Sequence, residues 1–298
     1  MHACKLAEAP IWLKRSTGAL PRGTRRMASE VKAGHQAWRA RGILPFASMQ
    51  QGHTMQTPSD YRSSHLQRGD SYDAFIAGTP FDAYMAHWES EHLRRLVGGL
   101  FPQGVGRYLD FACGTGRITA ELAPLSRYTL GVDISPGMLE SARKRLPETS
   151  FLACDLTQDD PDVGAFDLVT AFRFFGNAED ELREAALRAI VKRMAPGACL
   201  ILNNHRNPGA LYALLDRLTG GNANGMDLTL GKLRGLLRRH GLHIRKVVPI
   251  GAWMYRSRLL HGSRPDDALA KRREARFSQP ALAPVAPDMI VVAQVARA

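Results

Sequence analysis

The amino-acid sequence predicts an α/β fold: one doubly wound, mostly parallel sheet of seven strands with helices on both faces and a helical N-terminal cap. Three observations lead there. From Tyr108 onward, short apolar runs alternate with segments of helical period, the pattern of successive β-α units. Glycine, aspartate and asparagine signals gather just after those runs, where an open α/β sheet binds its ligands. The chain is 298 residues long and 45% hydrophobic, enough to bury a sizeable core.

Taken in order, residues 1–57 show no sustained period, are broken by Pro10, Gly18, Pro21, Gly23, Gly34, Gly42 and Pro45, and carry scattered arginines. A basic, largely disordered leader is expected there. It has no apolar secretory region, faintly resembles an organelle transit peptide, and would be absent if translation began at Met49 or Met55. Residues 58–298 form the working domain, divided into a cap over 58–104, a ligand-binding core over 105–204 and acceptor-side elements over 205–298.

In the cap, "PFDAYMAHWESEHLRRLVGGL" places Phe81, Tyr84, Met85, Trp88, Leu93, Leu96 and Val97 near a 3.6-residue period, with Gly98-Gly99 ending the helix. Strands are expected at Tyr108–Phe111, Tyr128–Val132, Phe151–Ala153, Leu168–Phe172 and Ala198–Asn203. Helices lie between them at Arg117–Leu125, Pro136–Leu146 and Glu179–Met194, the second capped by Ser135 with Pro136 at its first position. Beyond Asn204 come a helix from Pro208 to Leu218, a Gly/Asn loop, a basic helix from Thr229 to His240, a strand Ile244–Ile250, an arginine-rich stretch and a last strand Asp288–Ala293.

The net charge of +12 is uneven. Residues 1–48 hold nine basic and two acidic side chains, residues 49–225 hold 17 and 21, and residues 226–276 hold 13 and four. The basicity belongs to the ends, which argues only weakly for a nucleic-acid partner. No apolar stretch reaches the roughly 18 residues a spanning helix needs. Cys4, Cys113, Cys154 and Cys199 stand far apart without C-x-x-C spacing, so reduced thiols in a cytoplasmic protein are expected, with no disulfide and no metal.

The chemistry begins at "LDFACGTGR", where Gly114 and Gly116 follow a strand. Glycine there permits unusual backbone angles and lets a ligand approach main-chain N–H groups. A tight structural turn would look the same. Asp133 ends the next strand in "TLGVDIS", where an acid can accept both hydroxyls of a ribose, and Asp155 ends the third in "FLACDL", where an acid can receive the exocyclic amine of adenine while Leu156 backbone reads the ring edge. Three such features at successive strand ends describe a pocket for an adenosine compound. A dinucleotide fingerprint would want a third small residue where Thr119 stands.

Over Tyr108–Asn204 the chain resembles the class I S-adenosylmethionine-dependent methyltransferases. "LDFACGTG" is similar to the family's first motif, "GVDIS" with Met138-Leu139 to the second, "ACDL" to the third, "FDLVTAF" to the fourth, and "MAPGACLILN" to the lead into the fifth strand. Ala112 departs from the pattern by replacing the first glycine. The resemblance implies a Rossmann-like methyltransferase fold, S-adenosyl-L-methionine as methyl donor and S-adenosyl-L-homocysteine as product. It also implies that Asp110 and the backbone of Ala112, Cys113, Gly114 and Gly116 hold the methionine portion, Asp133 the ribose, and Asp155 with Leu156 the adenine, with Ile134 and Met138 among the cofactor-binding residues. Phe172 and Arg173 would border the methyl group, and Tyr72 or Tyr84 would come to the sulfonium from the cap.

Methyl transfer asks mainly for in-line placement and removal of any proton. Candidate catalytic residues are His205, as a general base or else a hydrogen-bonded loop residue, and Arg173, which like Arg206 could pair with an anionic acceptor. The expected partner is a small-molecule acceptor methylated on O or N. A nucleic-acid methyltransferase using the basic Lys232–Arg239 face with Arg245, Lys246, Arg256 and Arg258 is the alternative, weakened by the lack of an (N/D)-P-P-(Y/F) motif after the fourth strand. A non-catalytic S-adenosylmethionine-binding protein is the third reading. Oligomeric state is not legible.

Overall fold

A computed structural model describes Arg62 and residues 80–218, 227–253 and 267–295. Helix α1 (Pro80–Leu100) leads into β1 (Val105–Phe111), α2 (Arg117–Leu122), β2 (Ser126–Asp133), α3 (Pro136–Arg145), β3 (Ser150–Ala153), β4 (Phe166–Ala171), α4 (Asp180–Lys192) and β5 (Met194–Asn203). There follow α5 (Leu211–Leu218), α6 (Leu230–Arg239), β6 (Leu242–Ile250), α7 (Ala268–Phe277) and β7 (Asp288–Val295).

All seven strands join one sheet in the order β3-β2-β1-β4-β5-β7-β6. The first five pair in parallel, whereas β7 inserts antiparallel between β5 and β6. The chain winds outward from β1 to β3 and then returns to β4 on the other side of β1, so the carboxyl ends of β1 and β4 diverge and open a crevice.

Side chains alternate across each strand and divide the core in two. Leu109 and Phe111 of β1 face the layer built with α4 and α6, through Leu187, Ile190, Leu233 and Leu237. Tyr108 of β1 faces the other layer, covered by α1 and α2 through Trp88, Leu93, Ile118 and Leu122 and by Ala270 of α7.

Local signals explain most element ends. Ser135 caps α3 by accepting from the Met138 N–H at 3.4 Å, and Thr229 caps α6 by accepting from Lys232 N–H at 3.1 Å. Helix α1 spans Pro80–Leu100 as expected, with its last buried residue, Val97, just before Gly98-Gly99. One expectation needs correction. The arginine-rich stretch after β6 contains a helix, α7, whose cap Asp267 accepts from the Ala270 N–H at 2.7 Å and whose Glu274 is buried. Among the described residues no helix is long and apolar enough to cross a membrane.

Candidate functional site

At the carboxyl ends of β1–β4 the surface opens into a cleft of about 920 Å³, mouth included. Asp110, Ala112, Cys113, Gly114, Asp133, Ile134, Met138, Asp155, Leu156, Phe172 and Arg173 all line it. The fold thus brings to one place eleven of the residues singled out in the sequence.

The loop after β1 turns by left-handed backbone at Ala112 (φ 56°), Gly114 (φ 55°) and Gly116 (φ 75°). Ala112 therefore departs from glycine at a position whose backbone favours glycine, costing about 1–2 kcal/mol. Gly116 shapes the turn from behind: a Cβ there would point at Ala142 Cβ of α3, 3.2 Å away, and the residue is absent from the cleft wall. Bare backbone is required at the turn itself, with α3 packed against it.

Asp133, at the end of β2, ties this loop to its own strand. Its Oδ2 accepts from Gly114 N–H at 2.8 Å and its Oδ1 from Ser135 N–H at 2.9 Å. Asp110 is buried beneath the loop, accepting from the Thr119 hydroxyl at 2.6 Å and the Thr170 hydroxyl at 2.7 Å. Burial raises its pKa to about 6, against the pull of those two hydroxyls. At the third strand end, Asp155 accepts from Thr157 N–H at 3.0 Å and pairs with Arg62 Nε at 3.0 Å. Arg62 thus lies over the acid expected to meet adenine.

Beyond Phe172 the site becomes a buried polar cluster. Arg173 has left-handed backbone (φ 56°), held by its N–H donating to Asn203 Oδ1 at 2.6 Å. Its guanidinium lies 3.6 Å from Glu89 and 3.7 Å from Asp82, both of α1. Glu89 is fully buried, accepts from Arg117 Nη2 at 2.7 Å and from Asn203 Nδ2 at 2.6 Å, and adjoins buried Asp288 at the start of β7. Burial would raise the Glu89 pKa, but Arg173, Arg117 and a hydrogen bond from Asp288 hold it at about 2. Burial and the charge of Glu89 push Asp288 well above the carboxylate range, so Asp288 carries the pair's proton. Arg117 lines the cleft, yet its buried Nη1 has no hydrogen-bond partner among the described residues.

His205 and Tyr84 are not where the sequence placed them. His205 is buried behind the cleft wall, its ring so close to Gly176 that a Cβ there would lie 3.1 Å from Nδ1. Burial, then Arg173, lowers its pKa to about 3. Tyr84 belongs to the core under α1, donating to Glu274 at 2.9 Å and accepting from Trp253 at 3.3 Å, because its ring sits on the stripe that faces the sheet. Tyr72 lies outside the described residues.

Sequence reasoning missed Arg62, Arg117, Glu89, Asn203 and Asp288. One signal was readable: Glu89 lies four residues from Met85 and from Leu93, so the apolar stripe of α1 carries an acid in its middle. An acid on a core face is informative because burying it demands partners.

Comparison with known proteins agrees with this geometry. Residues 109–200 match the family model described as "Methyltransferase domain". The magnesium-protoporphyrin O-methyltransferase of Rhodobacter capsulatus is 31% identical over 135 residues, covering 38% of this chain and 59% of that protein. The ubiquinone biosynthesis O-methyltransferase of Xanthomonas campestris is 30% identical over 115 residues, 36% of this chain and 46% of that enzyme. The matches therefore span about half the length of these curated relatives. In structure, the chain is similar to the N-methyltransferase NodS from Bradyrhizobium japonicum, solved with S-adenosyl-L-homocysteine (TM-score 0.51, 18% identity, 78% of this chain and 96% of that one). That likeness shows the shared fold. Residues 109–200, which hold the glycine loop and the strand-end acids gathered in the cleft, are thus similar to methyltransferase domains.

Proposed function

We propose that the protein transfers a methyl group from S-adenosylmethionine to an oxygen or nitrogen of a small molecule. One observation carries the reading: the acid at the end of β2 and the glycine loop after β1 are a single hydrogen-bonded unit facing the cleft, joined by Gly114 N–H to Asp133 Oδ2 at 2.8 Å.

The residues present fit the methyl donor. All of them line the cleft, and on this reading Asp133 would accept from the ribose hydroxyls, Asp155 and Leu156 would meet the adenine, and Asp110 with the Ala112–Gly114 backbone would hold the methionine end. The orphan Nη1 of Arg117 suits a carboxylate. When bound, the donor supplies an electrophilic methyl group on a positively charged sulfur. The chain's part is to hold donor and acceptor in line and to keep water out, and Phe172, Phe174 and Leu182 give the cleft its apolar wall beside Arg173.

A small acceptor suits the electrostatics better than nucleic acid. The basic helix α6 spends charge on nearby acids: Lys232 meets Asp227 at 2.7 Å and Asp180 at 2.9 Å, and Arg239 meets Glu184 at 2.7 Å.

The test is calorimetric titration of S-adenosylhomocysteine into the full chain, beside Asp133→Asn. Binding weakened at least tenfold in the variant, about 1.4 kcal/mol, is the expected result. No heat and no thermal stabilisation of the wild-type chain would overturn the reading.

A further inference from the structure

We infer that Arg62 is a positioning residue for the methyl donor: together with Thr157 it fixes the Asp155 carboxylate toward adenine and sets a preference for adenine over hypoxanthine, an inference that rests on the methyl-donor reading above.

The first observation is how the carboxylate is held. Both Thr157 donors converge on Oδ1, the N–H at 3.0 Å and the hydroxyl at 2.5 Å. Arg62 pairs with the other oxygen, Oδ2, through Nε at 3.0 Å, and its Nη2 donates a short hydrogen bond to the Thr157 hydroxyl. The three side chains close a ring. A guanidinium has only donors, so the Thr157 hydroxyl accepts from Arg62 and gives its own proton to Asp155. Each contact in the ring has one possible sense, and the ring therefore fixes an orientation. A carboxylate offers about four acceptor positions. Thr157 fills those on Oδ1 and Arg62 takes one on Oδ2, so the position left over is on Oδ2.

The second observation is where the ring stands. Arg62, Asp155, Leu156 and Thr157 all line the cleft. The backbone beneath the carboxylate is tied down by other means: the Asp155 carbonyl accepts from the N–H groups of Gln158 at 2.9 Å and Asp159 at 2.7 Å, and the Leu156 side chain is buried in the core. What remains free is rotation of the carboxylate about its own bond, and this is the freedom that Arg62 and Thr157 remove. A lone ion pair on the surface would hold little. Here the side chains of Arg62 and Asp155 are only 32% and 20% exposed and a hydroxyl bridges them, so the ring is partly sheltered from competing water and salt.

The remaining position on Oδ2 suits an N–H donor. Adenine brings its exocyclic amine there and gains a hydrogen bond. Hypoxanthine brings a carbonyl oxygen to the same place, and two acceptors then face each other unpaired. Without Arg62 the carboxylate keeps Thr157 but can turn Oδ2 away from the base. The bond to adenine weakens and the repulsion of hypoxanthine is relieved, so both changes lower the preference. Arg62 acts through Asp155, and no covalent bond is made or broken.

The experiment titrates the full chain calorimetrically with S-adenosylhomocysteine and with S-inosylhomocysteine, which carries hypoxanthine in place of adenine. The wild-type chain is expected to prefer the adenosyl compound at least tenfold. Arg62→Ala should weaken S-adenosylhomocysteine at least fivefold while S-inosylhomocysteine changes less than twofold or tightens, and Arg62→Lys should recover part of the loss. In an Asp155→Asn background the Arg62→Ala step should cost less than twofold, because the group it positions is gone. An equal loss for both compounds, or an equal loss in both backgrounds, means a merely structural role and overturns the inference. So does a wild-type chain without the preference. Unchanged or tighter adenosyl binding in Arg62→Ala overturns it too, by making Arg62 a competitor of the amine, as does a larger loss for the inosyl compound. In each of these cases wild-type binding of S-adenosylhomocysteine leaves the methyl-donor reading standing. If the wild-type chain does not bind S-adenosylhomocysteine, both fall.

Discussion

Replacing Glu89 by glutamine removes the buried negative charge that faces Arg117 at 2.7 Å and Arg173 at 3.6 Å while keeping the side chain's shape. Removing one partner of a buried ion pair costs about 3–5 kcal/mol, because the remaining charge is left uncompensated. Here the loss should be smaller. Asp288 holds a proton in the native pair because burial and Glu89 raise its pKa. Without Glu89 it can ionise and return part of the missing charge, so we expect about 2–3 kcal/mol for Glu89→Gln. Asp288→Asn exchanges one neutral group for another and keeps an acceptor for the Met289 N–H, now 2.6 Å from Oδ1. It should cost about 1 kcal/mol or less.

The double variant removes the rescue and should reach about 4–5 kcal/mol, a coupling of about 1 kcal/mol between the two positions. Urea unfolding at neutral pH, followed by tryptophan fluorescence, reads these values. For a domain of this size each kcal/mol moves Tm by about 2–4 °C, so Glu89→Gln should melt about 4–12 °C below the wild-type chain. An Asp288→Asn variant as costly as Glu89→Gln would mean that the proton sits on the other carboxyl. Strict additivity in the double variant would refute the shared-proton argument.

Two further outcomes follow from the same geometry. Ala112→Gly should stabilise the chain by about 0.5–1 kcal/mol, the relief of a left-handed alanine at φ 56° less the extra freedom of glycine when unfolded; a lower melting temperature would contradict it. His205, with a folded pKa of about 3 against 6.5 in the unfolded chain, stays neutral where the unfolded chain binds a proton. Its contribution to stability is therefore full above pH 6.5 and is lost as pH falls toward 3. Relative to the wild-type chain, His205→Asn should flatten the acid side of the stability curve by up to about 1.4 kcal/mol per pH unit between pH 4 and 6, and parallel curves would refute the burial argument.

The elements of the sheet were legible because their signals are local. Apolar runs of strand length, Ser135 before Pro136, and glycines after the first run each report on a few neighbouring residues. For the same reason the strand-end acids could be ordered along the cleft before any packing was known: in a parallel sheet every strand ends on the same side. The place of β7 was harder, since an antiparallel strand inserted between β5 and β6 leaves no mark on its own alternation.

What the sequence alone determined is the glycine-loop half of the cleft. Gly114, Asp133 and Asp155 follow three successive strands, so chain order by itself sets their sequence along the cleft. The far end was decided by tertiary structure. Glu89, Arg117, Arg173, Asn203 and Asp288 come from five separate elements, and their protonation and orientation depend on mutual distances within a buried space. Tyr84 and His205 look like site residues by type and neighbourhood, and burial sends both inward. Period and spacing report on the chain's own neighbours, whereas the energy of a buried charge is set by groups that only folding brings within a few ångströms.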